Sequence, residues 1–196
     1  AADRLQKRVQ EELRQLDMPK VQFVTEFAPS PGQDGMDDTG MDQVQFLMSA
    51  NLGEALKPIQ KVASGGELAR IMLALKNVLA EDDGIGSLVF DEVDTGVSGR
   101  AAQKVAEKMA DVARRKQVLC VTHLPQIAAM ADVHFMVEKG EEKGRTFTNV
   151  ERLEQEGRVD ELARLIGGAA VTDSLRASAS ELLAQAESYR KKRKKA

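Results

Sequence analysis

Apolar and polar residues recur with two different periods along this 196-residue chain, and the periods predict its helices and strands. Near the N-terminus, apolar residues three or four apart among charged side chains predict an amphipathic or coiled-coil helix, over residues 1–18. These residues are Leu5, Val9, Leu13 and Leu16. Strict alternation then predicts two half-buried strands, over residues 21–27 and 44–48, on either side of a mobile loop rich in Gly, Pro and Asp.

In the second half of the chain, short apolar strands follow one another with amphipathic helices between them. The runs 87–90 and 117–121 flank a helical pattern over residues 101–113, which is a strand–helix–strand unit typical of parallel sheets. Further along, the pattern predicts a hairpin of residues 134–137 and 147–150 and two closing helices, around residues 161–166 and 173–190. We therefore expect an α/β fold with a mostly parallel sheet and flanking helices.

Composition narrows the class of protein. The net charge of −3 gives no overall attraction to nucleic acid, and the basic run 191–196 is expected to be a solvated tail. A single cysteine, Cys120, excludes an internal disulfide and fits a reducing, cytoplasmic compartment. Neither a membrane-spanning run nor a signal peptide is evident. The chain begins with alanine inside a charged helical pattern, which predicts that it is part of a longer protein.

Within residues 61–80, apolar residues at helical spacing predict a helix with one buried stripe, and this helix has an unusual beginning. The stripe consists of Leu68, Ile71, Met72, Leu75, Val78 and Leu79. Ser64, Gly65 and Gly66 leave backbone N–H groups free in the first turn, with almost no side-chain bulk above them. Two explanations fit. Ser64 and Glu67 can form a capping box, which needs no ligand. The free N–H groups and the positive end of the helix dipole can also bind a phosphate.

Acidic residues follow one of the predicted strands, and a histidine follows the next. Asp91 and Glu92 come directly after the apolar run that ends at Phe90, and His123 follows the next strand. Since ligands of parallel sheets bind beyond the carboxyl ends of the strands, we expect these residues at one edge. Nucleotide hydrolysis needs one carboxylate for Mg²⁺, the role of Asp91, and a second to orient and polarise water, the role of Glu92. An isolated Asp-Glu would more often be a solvated turn; the order of all three motifs favours a nucleotide site.

These motifs resemble those of a known family. SGGE at 64–67, LVFDE at 88–92 and VTH at 121–123 resemble the signature motif, Walker B motif and switch histidine of ABC-type ATPases. Longer stretches, among them FDEVDTGVSGRAAQKVAEKM and ELARLIGG, resemble the RecN family of bacterial SMC-like DNA-repair ATPases. The resemblance implies that residues 1–18 are the end of a coiled-coil helix and residues 19–190 the C-terminal lobe of an ATPase head. The protein would be cytoplasmic and nucleoid-associated, and would act in recombinational repair of DNA double-strand breaks.

The resemblance also implies how the site is assembled. ATP and Mg²⁺ would be held between two heads of a homodimer, with Glu92 and His123 as catalytic residues and Asp91 at the metal. The opposite head would present its signature turn to the γ-phosphate; in this chain that turn is Ser64, Gly65, Gly66 and Glu67. The phosphate loop G-x-x-x-x-G-K-[ST] is absent from these residues, and in the family it lies in an N-terminal lobe. We therefore expect the chain alone to be inactive as an ATPase, with that lobe and DNA as partners and no membrane.

Three other interpretations remain open. A chromosome-structuring SMC protein and the ATPase domain of an ABC transporter share the mechanism, and a non-catalytic interaction module could keep the fold without turnover. Ser98 departs from the usual pattern, because an aspartate ordinarily stands at that place in ABC-type ATPases. Its role is therefore not carried over to this chain.

Overall fold

The computed structural model describes the whole chain except residues 31–34, 37, 39, 50, 52, 62–64, 80–83, 143–144, 169 and 195–196. The described helices are α1 (Ala2–Gln15), α2 (Gly65–Leu79), α3 (Gly99–Val112), α4 (Pro125–Met130), α5 (Gln155–Gly167) and α6 (Asp173–Lys194). The strands are β1 (Gln22–Pro29), β2 (Asp42–Ser49), β3 (Lys57–Pro58), β4 (Ser87–Phe90), β5 (Gln117–Cys120), β6 (His134–Glu142) and β7 (Arg145–Leu153). They form two compact units: residues 1–97 with 115–120, and residues 98–114 with 121–196.

The first unit is built around α1, which packs against β1 and α2. Its apolar stripe is fully buried at Val9, Leu13 and Leu16, as the spacing predicts. The side chain of Asn77 in α2 donates a hydrogen bond to Glu12 of α1 at 2.6 Å. The last turns of the predicted coiled-coil helix are therefore part of the core and lie directly on α2.

Two small sheets complete the first unit. β1 pairs with β2 along its whole length, from Gln22 opposite Ser49 to Pro29 opposite Asp42, and β3 adds to the other edge of β2. The second sheet is the parallel pair of β4 and β5, in which Ser87 lies opposite Gln117 and Phe90 opposite Cys120. Parallel pairing is possible here because the chain between these strands is long enough for a crossover.

The second unit consists of four helices and a hairpin. α4 packs against α3, α5 and α6, and β6 pairs antiparallel with β7. Two guanidinium groups bind the carboxyl end of α4: Arg158 donates to the carbonyl of Ala131 at 2.9 Å, and Arg190 donates to that of Met130 at 3.1 Å. Because the last carbonyls of a helix lack partners within it, these two arginines stabilise the end of α4.

The α/β class is confirmed, and the structure corrects three details. The sheet is parallel only at β4 and β5; the other described pairs are antiparallel, since chain segments joined by short connections can pair only in that way. Met72 and Leu79, placed on the buried stripe of α2 by their spacing, are exposed, whereas Leu73 and Ala74 are buried. The helix α4 was not predicted, because six residues are too few to show a period.

Among the residues that the structure describes, no helix has the combined length and apolar character needed to cross a bilayer. The loop between β1 and β2 lies largely outside the described residues, so the mobility predicted for it stays a prediction.

Candidate nucleotide site

The end of β4 presents two carboxylates on a sharp turn. Leu88 and Phe90 are buried and anchor the strand, while Asp91 and Glu92, directly after it, are exposed. Glu92 has a φ of +56°, in the left-handed region that residues other than glycine rarely adopt. Such strain is concentrated at functional sites, where the surrounding structure enforces it.

Two backbone hydrogen bonds and several buried residues hold this turn in place. The N–H of Thr95 donates to the carbonyl of Glu92 at 3.1 Å, and the N–H of Val97 donates to that of Asp94 at 3.1 Å. Val93, Asp94 and Val97 are buried. We name residues 91–97 the acidic turn. Sequence reasoning missed the anchoring role of Val93 and Val97, although an apolar residue on each side of Asp94-Thr95-Gly96 was a visible signal.

Cys120, at the end of β5, lies in the electrostatic field of the acidic turn. Burial raises the pKa of its thiol to about 12, and the negative charges of Asp94 and then Asp91 contribute in the same direction. A buried thiol beside carboxylates stays protonated, because its thiolate would lose hydration and meet like charges. Cys120 therefore packs as a small apolar side chain, as expected from its place in the strand.

The beginning of α2 is partly described. Ser64 lies outside the described residues, and α2 begins at Gly65. Gly66 is buried, and a Cβ added there would overlap the carbonyl oxygen of Thr95 and lie 2.7 Å from its carbonyl carbon. The Nε of Arg70 donates back to the Gly66 carbonyl at 3.3 Å. Gly66 is thus required by the chain's own backbone, whatever the turn binds. Glu67 follows in the first turn, partly exposed.

In the second unit, His123 lies in the short segment that leads into α4. The residue is exposed, and the next N–H, that of Leu124, donates to the hydroxyl of Thr122 at 3.0 Å. Pro125 then begins α4, a position where its missing N–H costs nothing. Ser98, at the place where the resembled family has an aspartate, is the N-terminal cap residue of α3, and its carbonyl accepts the N–H of Ala101 at 3.1 Å.

The side chains available as metal ligands determine what kind of cation site the acidic turn could form. Within the described part of the chain, no three carboxylate, histidine or cysteine side chains come together in a way that could bind a metal ion by themselves. Magnesium in nucleotide sites is typically held by one or two carboxylates together with the phosphates and water. The exposed pair of Asp91 and Glu92 fits that use, so a cation here would be bound with a nucleotide.

The chain is similar in sequence to known DNA repair proteins. No protein-family model matches the chain. It is 47% identical over 183 residues to the DNA repair protein RecN of Halalkalibacterium halodurans, a match that covers 93% of this chain and 32% of the relative. It is 46% identical over 198 residues to RecN of Bacillus subtilis, covering 95% of this chain and 34% of the relative. The chain thus spans about a third of the length of these relatives.

Solved structures with a similar fold include heads of SMC proteins. An Smc head domain with a coiled coil and joint from Pyrococcus yayanosii superimposes with a TM-score of 0.60 at 21% identity, over 82% of this chain and 28% of that one. A chain solved in a study of ATP-driven dimerization and DNA-stimulated activation of SMC ATPases gives 0.54 at 17% identity, over 86% and 94%. In sequence this chain therefore matches the C-terminal part of RecN-type DNA repair proteins, and in fold it matches the head of SMC proteins.

Proposed function

We propose that this chain is the C-terminal lobe of an ATP-hydrolysing, SMC-type head in a protein that acts in recombinational repair of DNA double-strand breaks. The observation that carries the proposal is the acidic turn: two exposed carboxylates directly after a parallel strand that is buried at Leu88 and Phe90, with Glu92 in a strained backbone conformation. The 47% identity to a relative named as a DNA repair protein supports the biological role.

Each residue of the site has a distinct chemical task. Asp91 would help to hold Mg²⁺, which neutralises charge on the phosphates when it is bound with ATP. Glu92 would accept a hydrogen bond from the attacking water and so orient and polarise it. His123 would donate a hydrogen bond to the γ-phosphate from the segment before α4.

The beginning of α2 would serve a nucleotide held by another head. Gly65, Gly66 and Glu67 open the helix directly after Ser64 in the sequence, and backbone N–H groups in the first turn of a helix favour an anion. In this arrangement two copies form a homodimer with ATP between them. The ATP-driven dimerization of SMC ATPases named in one structural comparison is consistent with such an arrangement.

The missing phosphate loop would come from an N-terminal lobe that covers the β4–β5 sheet. Val89 and Leu119 lie opposite each other in this sheet and are 73% and 50% exposed. Parallel sheets normally have both faces covered, and two strands alone are marginally stable. An apolar lobe on this face would bury both side chains and bring its phosphate loop towards the strand ends.

The test uses a complete head, formed by this chain and an N-terminal lobe with the phosphate loop. Glu92→Gln should leave ATP binding within about twofold and lower hydrolysis by about a hundredfold or more, because the amide keeps the shape and loses the basicity. Asp91→Asn should instead weaken Mg²⁺-dependent ATP binding. The matched control is Glu26→Gln, which makes the same change of carboxylate to amide at an exposed residue of β1, outside the acidic turn and the beginning of α2.

Two results would count against the assignment. Normal turnover by the Glu92→Gln head would remove Glu92 from the hydrolytic step. If that variant bound ATP poorly but hydrolysed it at the normal rate when saturated with ATP, Glu92 would be a binding residue. Bound nucleotide can be measured by equilibrium dialysis and turnover by phosphate release.

A further inference from the structure

The beginning of α2 and the acidic turn meet backbone to backbone at Gly66 and Thr95. The carbonyl group of Thr95 occupies the space into which a side chain at residue 66 would project, with its carbon 2.7 Å and its Cα 3.5 Å from an ideal Cβ. Real Cβ atoms essentially never come that close to another heavy atom, and here the opposing atoms belong to the backbone. Any residue other than glycine at 66 therefore has to displace Thr95 or the first turn of α2.

The two valines of the acidic turn are held by burial, whereas its exposed residues can move more easily. Val93 is fully buried and Val97 is nearly so, while Glu92 and Thr95 are exposed. A push on the Thr95 carbonyl acts between these two anchors. It also acts on the residue whose N–H bonds the Glu92 carbonyl at 3.1 Å, the hydrogen bond that closes the turn around the strained φ of Glu92. The displacement would therefore reach the backbone of Glu92.

We infer that Gly66 is a positioning residue for Glu92, in addition to any contact it makes with a nucleotide. Its lack of a side chain lets Thr95 pack against α2, and this packing holds the acidic turn in the conformation that presents the Glu92 carboxylate. The inference rests on the proposed function for the catalytic role of Glu92. Since α2 begins with the residues proposed to meet the partner's nucleotide, a shift of that turn would be transmitted directly to the chain's own hydrolytic residue.

The test needs neither ATP nor a partner, and so it is independent of the proposed hydrolysis. We would measure amide hydrogen exchange by mass spectrometry on the full 196-residue chain and on its Gly66→Ala variant. The peptide covering residues 91–97 contains the hydrogen-bonded amides of Thr95 and Val97. Its exchange should be faster in the variant by about tenfold or more, because the turn opens locally. Peptides from β1 and β2 should change by less than about twofold, since the three atoms nearest to an added Cβ at residue 66 all belong to Thr95.

The matched control is Gly86→Ala. Gly86 has no heavy atom within 4 Å of an added Cβ and no positive φ, so the same substitution meets open space. Its exchange pattern should equal that of the wild type. Unchanged exchange of residues 91–97 in Gly66→Ala would overturn the inference, because the turn would then not depend on this contact. Loss of protection throughout the first unit would also overturn it, because Gly66 would then support the whole core instead of positioning the turn.

The two proposals fail in different ways. A head in which Glu92→Gln hydrolyses ATP normally contradicts the proposed catalytic role and leaves the exchange result intact. A Gly66→Ala chain with an unperturbed acidic turn contradicts the positioning role and leaves the role of Glu92 in hydrolysis intact.

Discussion

At the scale of single residues, Glu92 combines a proposed catalytic role with an unfavourable backbone conformation. Its φ of +56° lies in the left-handed region, which costs a residue with a Cβ on the order of 1 kcal/mol. We expect Glu92→Gly to raise the free energy of unfolding by about 1 kcal/mol, while it removes the carboxylate. Urea denaturation of the 196-residue chain measures this change.

A second left-handed residue supplies the control for Glu92. Asp17 has a φ of +62°, and aspartate tolerates this region better than glutamate does, so Asp17→Gly should give a smaller gain. Glu92→Gln keeps the backbone cost and should leave stability unchanged. If Glu92→Gly were instead destabilising, as glycine is in ordinary helical or extended backbone, the left-handed conformation would not be a source of strain.

Cys120 gives a prediction about pH. Burial, assisted by Asp94 and Asp91, raises the pKa of its thiol from 9.0 to about 12, so the folded state favours the protonated form. The corresponding stabilisation is complete below pH 9 and is lost as the pH rises towards 12. We expect the rate of alkylation of the folded chain by iodoacetamide to keep rising between pH 10 and 11, where the rate for an ordinary thiol with a pKa of 9.0 is close to its plateau.

Substitution separates the two causes of the Cys120 shift. Asp94→Asn should lower the pKa of the thiol only in part, because burial is the larger cause. The same chain unfolded in urea serves as a control and should give an alkylation profile with a midpoint near the ordinary thiol value. A folded chain with that same midpoint would show that Cys120 is accessible to water.

At the scale of secondary structure, α1 protects the outer edge of β1 with two glutamines one turn apart. The N–H of Phe23 donates to Oε1 of Gln10 at 3.2 Å, and the N–H of Thr25 donates to Oε1 of Gln6 at 2.9 Å. Gln10 also donates through Nε2 to the carbonyl of Val21. These are the backbone groups that an unpaired strand would offer to another chain, so the helix replaces a neighbouring strand at this edge.

This arrangement predicts how substitutions in α1 rank. Gln10→Leu should lower the free energy of unfolding by about 1–3 kcal/mol, because it leaves partly buried backbone groups without partners. Gln6→Glu keeps an acceptor for Thr25 and should cost less than Gln6→Leu. Gln15→Leu, at an exposed glutamine of the same helix, is the control and should change stability by less than about 0.5 kcal/mol. Equal effects of Gln10→Leu and Gln15→Leu in urea denaturation would show that α1 contributes to the core through its apolar stripe alone.

At the scale of the whole molecule, the chain carries the carboxylates proposed for hydrolysis without a phosphate loop. We expect negligible ATP hydrolysis by the 196-residue chain, because nothing in its sequence can cradle the β-phosphate. Turnover should appear when an N-terminal lobe with a phosphate loop is added. Strong magnesium-dependent turnover by the purified chain alone would contradict this prediction.

A substitution on the exposed face of β4 and β5 tests whether the added lobe docks there. Val89→Lys places a charge on a side chain that is 73% exposed in this chain, so its melting temperature should stay within a few degrees of the wild type. The same change should block the turnover gained on mixing, because the lysine would be buried against the added lobe. Val44→Lys makes the same change at a valine of β2 that is 55% exposed, and should leave the turnover gained on mixing intact. Full turnover with Val89→Lys would show that the lobe docks elsewhere.

The predictability of the elements depended on their length. α1 and α3 were predicted because their apolar residues recur over several turns, and β1 and β2 because their side chains alternate between two environments. Helix α4 was missed because it has only six residues, and its stability comes from Arg158 and Arg190, far along the chain. Periodicity reports on the burial of a face and says little about such distant hydrogen bonds.

The sequence alone determined the order of the motifs, and with it the positions of Asp91, Glu92 and His123 at the ends of strands, because strand ends follow from local apolar runs. It also determined that Gly65 and Gly66 lie at the beginning of a helix, since the apolar period starts just after them, at Leu68. Only the tertiary structure decided that Gly66 faces the Thr95 carbonyl, that Glu92 takes a left-handed backbone and that β4 and β5 leave one apolar face exposed. These features depend on which distant segments meet, and packing between segments remote in the chain leaves no periodic trace in the sequence.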